Sequence, residues 1–275
     1  MAYADEVLRW RQEVEAALRG EESWLSLAGL FWLAPGENSM GSGRESSIRL
    51  PEGAAPEVAG SIDFDGTQAV FRAAHGVDAH SGAERVGTIA LQPDTTGSPT
   101  RIRLGEVTFV IVRRGVRWGV RVWNRKHPAR AAFLGRRWFP IRPTYVRPAQ
   151  FVRYDPPRAI MIENVLGDSE PTACPGQVDF DVDGAAARLL VTDADADGLF
   201  LVFADLTNGS TTYRAGRFLA TAPVTGDQVL IDFNRAYNPP CAFSPFATCP
   251  LPPAENHLRI PIEAGEQHDP GWALG

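Results

Sequence analysis

The chain has 275 residues, of which 44% are hydrophobic and 22% are charged, and its formal net charge at pH 7 is −6. This composition is typical of a soluble globular protein with one large or two small domains. It contains no run of 18 apolar residues, which excludes a membrane-spanning helix. The N-terminus is charged and lacks an apolar signal-peptide core, and three cysteines fit reduced thiols better than a disulfide framework. We therefore predict a cytoplasmic protein with no membrane partner.

The first half of the chain predicts one helix and then many short strands. Residues 4–19 place apolar side chains at helical spacing, and Gly20 is suited to end the helix. The apolar stretch that follows predicts a buried turn of helix and then a strand. From 46 to 123, short alternating runs are separated by Gly, Pro and Asp turns. Many short strands with regular turns are typical of a β-sandwich or barrel.

The order of strands in residues 40–115 resembles that of a forkhead-associated domain. A glycine-led strand at Met40–Ser42 precedes Ile48–Leu50, and a closing strand runs from Leu104 through Phe109–Val112. The resemblance implies a β-sandwich. The phosphothreonine site of that family uses a Ser and a nearby His, whereas the sequence here reads PEVAGS. This difference argues against phosphopeptide binding.

Residues 101–158 form a strongly basic block inside an acidic protein. They contain fourteen arginines, one lysine and two acids, a net charge of +13. One interpretation is that these arginines pair with acids elsewhere in the fold. The other is that several converge on an anionic ligand, because guanidinium binds carboxylate, phosphate or sulfate bidentately. The negative net charge and the lack of a nucleic-acid-binding motif argue against nucleic acid as a partner.

Six prolines fall within residues 124–158, so we predict a connection between two β units there, without a long helix or strand. Lys126 is the only lysine in the chain, and it lies beside Arg125, His127 and Arg130. Like charges would make Lys126 a better base, which makes it and His127 candidates for acid–base chemistry.

From residue 159 the pattern again predicts strands. Asp193, Asp195 and Asp197 precede Gly198 at the spacing of a calcium loop. Such a loop has Glu at its twelfth position and flanking helices, whereas the twelfth position here is Ala204 and strands flank the loop. We interpret residues 193–198 as a hairpin turn between strands at 188–192 and 199–203.

Residues 231–261, called the strap below, hold seven of the 22 prolines and two of the three cysteines. Proline excludes helix and central strand, and the segment is too apolar for a solvated linker. We predict a rigid strap over the folded body. Cys241, Cys249 and His257 lack the short spacing of a zinc knuckle. Buried structural thiols are favoured over a zinc site or a disulfide, and no metal site is predicted.

Seven short stretches together resemble a bacterial and archaeal family known only as a domain of unknown function. The resemblance spans nearly the whole chain and implies a fold and a set of positions, but no activity. No motif for a nucleotide, redox or other cofactor is present, so no cofactor is predicted. The stretches are LAGLFWLAPGENSMGS, HPAR, RRWFP, DLTNGSTTYRAGRFL, DFNRAYNPPCAF, CPLPPAENHL and EAGE.

Polar residues in these stretches and in the basic block are the candidate site residues. In the first hypothesis they bind an anionic small molecule at the junction of the two β units, as a binding protein or as a cofactor-independent hydrolytic or elimination enzyme. The candidate acids and bases are Lys126, His127 and Asp232. The candidate ligand-binding residues are Arg121, Arg125, Arg130, Arg217, Tyr213, Asn234, Tyr237 and Glu255.

Two alternatives stay open. Arg217, Asp232 and Glu255 could instead form a buried, paired network that pins the strap, because buried charges must be paired. The second functional hypothesis is a non-catalytic interaction module with a protein partner or a second copy of the chain. In all cases we predict a mainly β fold, with an N-terminal helix at 1–22, a sandwich at 23–125 and a second β domain with the strap at 126–275.

Overall fold

The computed structural model describes residues 2–268 and shows a mainly β protein with an N-terminal helix, as the sequence predicts. Helix α1 spans Tyr3–Leu18 and buries Val7 and Leu18. The chain forms two compact units. The first β unit is Ala16–Leu134, and the second β unit comprises residues 2–15 and 135–268. Within 2–268, no helix has the length and apolar character needed to span a membrane. The predicted domain boundaries near 22 and 125 stay predictions.

The first β unit is built from two sheets that share one apolar core. Their strand orders are β1-β11-β10-β9-β6-β7 and β3-β2-β4-β5-β8. The strands are β1 Leu27–Trp32, β2 Gly36–Gly41, β3 Ile48–Arg49, β4 Gly60–Phe64, β5 Ala69–Ala73, β6 Ala79–Ser81, β7 Glu84–Arg85, β8 Thr88–Leu91, β9 Ile102–Leu104, β10 Val107–Arg114 and β11 Arg117–Asn124, and helix α2 follows at Pro128–Ala132.

The alternation of side chains between the two faces of each strand explains why the two sheets pack face to face. Phe109 on β10 and Phe71 on β5 come from different sheets and meet edge to face, with ring centroids 5.4 Å apart. Both are fully buried. Side chains of a strand alternate between its two faces, so the apolar positions of both sheets fill the space between them. The sandwich predicted from the short alternating runs is therefore present.

The second β unit contains three smaller sheets, with orders β15-β14-β13-β19, β16-β17-β18 and β12-β20. Its core includes Phe151, Phe180 and Phe203. The strands are β12 Arg137–Trp138, β13 Val146–Glu163, β14 Ser169–Val182, β15 Ala185–Leu190, β16 Asp193–Ala194, β17 Leu199–Phe203, β18 Arg217–Ala220, β19 Gln228–Asp232 and β20 Glu266–Gln267. A hairpin turn is present here, because β16 pairs antiparallel with β17, but its first strand is Asp193–Ala194 and not 188–192, since Ala185–Leu190 form β15 and pair with β14.

The prediction that residues 124–158 contain no long element is wrong for its second half. Strand β13 begins at Val146 and pairs with both β14 and β19. Pro156 and Pro157 do not interrupt it, because they fall where the register with β14 shifts, between Arg153 and Arg158, and Pro148 lies opposite Leu230 of β19, before the pairing with β14 begins at Ala149. A proline at such an irregularity removes no ladder hydrogen bond.

The strap begins in the last two residues of β19 and contains only short 3-10 turns and isolated bridges as regular structure between Phe233 and Pro261. It nevertheless buries Phe233, Ala236 and Leu258 in the core of the second unit. Its backbone pairs with β18 at one point, since the amide of Phe218 donates to the carbonyl of Tyr237 and the amide of Tyr237 donates to the carbonyl of Phe218, both at 2.9 Å. The predicted apolar strap is therefore packed into the folded body, and its rigidity stays a prediction.

Candidate functional site

The candidate residues from the sequence divide between the two units. The five in the first unit are Arg121, Arg125, Lys126, His127 and Arg130, and the six in the second unit are Tyr213, Arg217, Asp232, Asn234, Tyr237 and Glu255.

In the first β unit, Glu106 is the anion that the basic residues contact. Arg125 Nε donates to Glu106 Oε2, and Lys126 Nζ lies 2.9 Å from Glu106 Oε1. Hydrogen bonds from Arg125 and Lys126 lower the pKa of Glu106 to about 2. The carboxylate is thus fixed in its charged form, and it neutralises one of the two cations without any ligand.

The other three candidates in this unit make structural contacts. His127 Nδ1 accepts from the amide of Ala129 at 3.2 Å and so caps α2, and burial lowers the pKa of His127. Arg130 donates to backbone carbonyls, among them that of Arg19 at 3.0 Å. The guanidinium of Arg121 lies 5.7 Å from the ring of Trp24. Hydrogen bonds that satisfy helix ends and carbonyls stabilise the fold by themselves.

A pocket of about 170 Å³ opens beside Glu106 and Arg125. Its lining has mixed charge, with three glutamates and two arginines, so it offers no net attraction for an anion. The charged lining residues are Glu21, Glu22, Arg103, Glu106 and Arg125.

In the second β unit, Arg217 is fully buried and paired with Asp205, at 2.6 Å between Nη2 and Oδ2. Asp205 Oδ1 also accepts from the amide and the hydroxyl of Thr207 and from the amide of Ile262. Arg217 donates further to the carbonyls of Ile262 and Ala264. A buried pair with this many partners is a structural lock that holds the segment directly after the strap.

Glycine at position 216 allows this lock to form. Gly216 has φ +95°, a left-handed conformation that other residues rarely adopt. A Cβ there would also lie 2.6 Å from Pro252 Cγ and 2.7 Å from the carbonyl oxygen of Phe203.

Asp232 belongs to a second lock, between α1 and the start of the strap. Tyr3 Oη donates to Asp232 Oδ1 at 2.8 Å, the amide of Asn234 donates to the same oxygen, and Arg235 Nε lies 3.3 Å from Oδ2. Burial, together with the Asp232 carboxylate, raises the pKa of Tyr3. Asn234 is fully buried, and its side chain bonds both backbone groups of Arg142 at 2.9 Å.

The network expected among Arg217, Asp232 and Glu255 is therefore two separate networks. Arg217 pairs with Asp205 and Asp232 pairs with Arg235, whereas Glu255 is exposed. The expectation that buried charges pin the strap holds for the first two residues. The positions of these residues in the sequence could not show which acidic side chain pairs with which arginine.

A pair that the sequence reasoning missed, Arg136 and Glu266, has the properties of a functional site. Glu266 Oε2 accepts from Arg136 Nη1 and, at 2.8 Å, from the amide of Asn238. The side chains of Arg136 and Glu266 are 6% and 2% exposed. Burial raises the pKa of Glu266 to about 7, although the charge of Arg136 and these hydrogen bonds act in the opposite direction. A carboxyl of this kind changes protonation near neutral pH.

Strand pairing places these residues together. β12 pairs antiparallel with β20, with Trp138 opposite Glu266, and Arg136 directly precedes β12. Gly265 has φ +80°, and a Cβ there would lie 2.5 Å from the carbonyl oxygen of Ala236. Glycine therefore lets β20 approach the strap closely enough for the amide of Glu266 to donate to that carbonyl at 2.8 Å.

The surroundings of the pair leave two buried polar atoms without a hydrogen-bond partner, Arg136 Nε and Asn238 Oδ1. Tyr237 is half-buried beside them, and burial raises its pKa. The guanidinium of Arg136 lies 4.9 Å from the ring of Phe243. Arg217 Nε and Arg235 Nε also lack a hydrogen-bond partner, so the feature particular to the surroundings of this pair is the buried side-chain oxygen of Asn238.

The only sequence signal for this pair was that RRWFP and EAGE belong to the stretches shared with the resembling family. Residue type could not have singled out one arginine of fourteen in the basic block. Nor could it show that Arg136 meets a glutamate 130 residues further along the chain.

The two strap cysteines lie next to each other and are reduced. The amide of Cys241 donates to Cys249 Sγ at 3.2 Å, and Tyr213 Oη donates to the carbonyl of Cys241 at 2.9 Å. Both cysteines are buried with Val202 and Phe218. Within residues 2–268, no group of three or more His, Cys, Asp or Glu side chains is placed to hold a metal ion.

Comparisons with known proteins place the chain in a family. The sequence profile of DUF1684, described as a protein of unknown function, matches residues 131–267. An uncharacterized protein of Haloarcula marismortui, solved by NMR, is 32% identical over 52% of this chain and 81% of its own, with a TM-score of 0.44. The forkhead-associated domain of FhaA, solved with the intracellular domain of a second protein, is 19% identical over 34% of this chain and 96% of its own, with a TM-score of 0.25.

TM-scores of 0.44 and 0.25 support no argument about a shared fold. No curated protein matches significantly. The profile match covers both members of the Arg136–Glu266 pair as well as the strap, and the archaeal relative is similar over most of its own length. The chain belongs to the DUF1684 family.

Proposed function

We propose that the second β unit binds a small anionic molecule, carrying a carboxylate, phosphate or sulfate group, at Arg136 and Glu266. The observation that carries this proposal is the buried carboxyl of Glu266, whose pKa is raised to about 7 while it is bonded to a nearly buried arginine. Perturbed carboxyls beside a specific charge partner are concentrated at functional sites.

The charge balance of the pair favours an anion. Because burial raises the pKa of Glu266 to about 7, the neutral form of this carboxyl is populated near neutral pH. In that state Arg136 keeps its positive charge but loses the carboxylate that compensates it. A buried, uncompensated charge is costly, so an anion that bonds the guanidinium stabilises the protein. Arg136 Nε, which has no partner, is one donor available to such a ligand.

The same carboxyl supplies an acid or a base for a reaction without a cofactor. A group with a pKa near the working pH transfers protons most effectively, and Glu266 meets that condition. We therefore assign the acid–base role to Glu266 rather than to Lys126, His127 or Asp232. The reaction class that fits is hydrolysis or elimination of the anionic group.

A thermal-shift screen of small anions tests the proposal. The probes are sulfate, inorganic phosphate, acetate and citrate, each at pH 6 and pH 8 and at constant ionic strength. A ligand that binds only the folded state raises the Tm. We expect at least one probe to raise the Tm. The rise in Tm should be larger at pH 6 than at pH 8, because protonation of Glu266 frees Arg136 for the ligand. Glu266→Gln should remove this difference between the two pH values.

Arg136→Gln should abolish the response, and Arg259→Gln should leave it unchanged. Arg259 is the matched control, because it is an exposed arginine of the same unit. A response that survives Arg136→Gln would contradict the proposal. No response to any anion at either pH would also contradict it, and would favour a non-catalytic interaction module.

A further inference from the structure

The cysteines of the strap lie close enough to react with each other. Cys249 Sγ is 3.2 Å from the backbone nitrogen of Cys241, and the two thiols hydrogen-bond each other. Seven residues separate them, and Cys241 is the central residue of the 3-10 turn Pro240–Ala242. A disulfide needs its two Cα atoms within about 7 Å, and the contact of the Cys249 sulfur with the Cys241 backbone brings the two residues close to that range.

We propose that Cys241 and Cys249 are a redox-active dithiol, which a low-molecular-weight disulfide oxidises to an intramolecular disulfide. This inference goes beyond the proposed anion site, and neither depends on the other. It concerns oxidation of the protein itself, at a site that family membership does not assign.

The order of attack follows from the surroundings of each sulfur. Cys241 is the more exposed of the two, at 9% against 4%. The Cys249 thiol and the Tyr213 hydroxyl beside it, with the charge of Arg214, lower the pKa of the Cys241 thiol despite its burial. The thiolate is the form that attacks a disulfide, so Cys241 reacts first.

The reaction balances in two exchange steps. The Cys241 thiolate attacks one sulfur of the small disulfide, forms a mixed disulfide and releases one small thiolate. The Cys249 thiolate then attacks the Cys241 sulfur, closes the protein disulfide and releases the second small thiolate. The two protons of the cysteines pass to the two released thiolates, and two electrons move from the protein to the small disulfide.

Cys174 is an internal control for this chemistry. It is fully buried, and its thiol donates to the carbonyl of Gly176 at 3.1 Å. Cys241 and Cys249 lie together between Arg235 and Arg259, with no Lys or Arg between these two, and Cys174 lies between Arg158 and Arg188. Trypsin therefore releases the strap pair on one peptide and Cys174 on another.

The test exposes the full chain to mixtures of oxidised and reduced glutathione at several ratios. Free thiols are then trapped by alkylation in denaturant, and the masses of the tryptic peptides are measured by mass spectrometry. We expect the peptide of residues 236–259 to lose both alkyl labels and to become lighter by about 2 Da than its unlabelled dithiol form, since two hydrogens are lost. The Cys174 peptide should keep its label, and oxidised protein should show a higher Tm than reduced protein, because the closed loop restricts the unfolded chain.

Two variants distinguish the mechanism. Cys249→Ser should stop at the mixed disulfide of Cys241 with glutathione, and Cys174→Ser should behave as the unmodified protein does. Full alkylation of both strap cysteines at every ratio would overturn the proposal. A disulfide that includes Cys174, or one that joins two chains, would overturn it as well.

Discussion

Two arginine–carboxylate pairs are buried in the second β unit, and they differ in how many donors each carboxylate receives. Asp205 accepts from Arg217, from two groups of Thr207 and from Ile262. Glu266 accepts from Arg136 and Asn238. Fewer donors leave more of the desolvation cost uncompensated, and the pKa of Glu266 is raised accordingly.

The raised pKa of Glu266 predicts a pH-dependent free energy of unfolding. The folded protein holds this proton up to about pH 7, whereas the ordinary pKa is 4.5. Between these values the folded state binds more protons than the unfolded state, so stability falls as pH rises and is constant above that window. The loss from this residue is roughly 3 kcal/mol at most. Urea unfolding of the unmodified protein and of Glu266→Gln from pH 4.5 to 8 should show a flatter profile for the variant, and parallel profiles would refute the shift.

Asp205→Asn should cost about 3–5 kcal/mol, because it leaves the charge of Arg217 buried without a partner. Arg217 has no exposed surface through which water could compensate it. The measurement is the free energy of unfolding in urea. Asp227→Asn, which changes an exposed aspartate of the same unit, is the control and should change it by less than about 0.5 kcal/mol. Equal effects of the two variants would show that the Arg217 pair is not a lock.

Asp232→Asn should lower the free energy of unfolding by roughly 1–3 kcal/mol, since it removes a charged acceptor shared by Tyr3, Asn234 and Arg235. Binding of anions by the folded protein should persist. The thermal melt and the anion response of the variant provide both readouts. An unchanged Tm with a lost response would instead make Asp232 a ligand-binding residue.

At the scale of the element, the strap owes its stability to a few aromatic side chains. Phe233 is fully buried, with ring centroids 5.4 Å from Phe203 and 5.9 Å from Phe180. Its prolines reduce the freedom of the unfolded segment, which lowers the entropy lost on docking. A segment with little regular structure can therefore be a fixed part of the core.

Phe233→Ala should cost about 3–5 kcal/mol, the usual loss for a buried aromatic ring. Leu230→Ala, three residues earlier on β19, should have little effect because Leu230 is 55% exposed. Chemical denaturation compares the two. If Phe233→Ala were as mild as Leu230→Ala, the strap would not be a docked part of the core.

Secondary-structure elements could be predicted from the sequence better than the pairs of residues that meet across long distances in the chain. The helix, the short strands of the first unit, the hairpin turn and the strap follow from local periodicity, turn residues and proline, which act over a few positions. Strand β13 was missed because proline was taken to exclude strand, whereas register shifts accommodate it. The Arg136–Glu266 pair was missed because long-range pairing leaves no local pattern.

At the scale of the whole molecule, many arginines of the basic block meet acids of their own unit. In the first unit Arg101 bonds Glu22 and Arg114 bonds Asp94. In the second unit Arg147 bonds Asp183. The interpretation that the block pairs with acidic parts of the fold is thus supported for these residues. Exposed pairs of this kind contribute at most about 1 kcal/mol each, so they balance charge more than they stabilise the fold.

Metal analysis of protein purified without chelator should show no stoichiometric zinc or calcium. The described residues offer no cluster of suitable donors, and the aspartates of residues 193–198 form a hairpin turn. Elemental analysis by mass spectrometry is the measurement. One equivalent of zinc that disappears in a Cys241→Ser, Cys249→Ser double variant would contradict the assignment of these cysteines as a dithiol.

The most direct test of the central claim is a carbon-13 NMR titration of the glutamate side-chain carboxyls, with and without sulfate, an anion that does not itself titrate in this range. The resonance absent from Glu266→Gln identifies Glu266. The account predicts a midpoint near pH 7 that rises when sulfate binds Arg136, because an anion beside the carboxyl disfavours its charged form. A midpoint at or below the ordinary value of 4.5, or one that neither sulfate nor a carboxylate ligand moves, would contradict it.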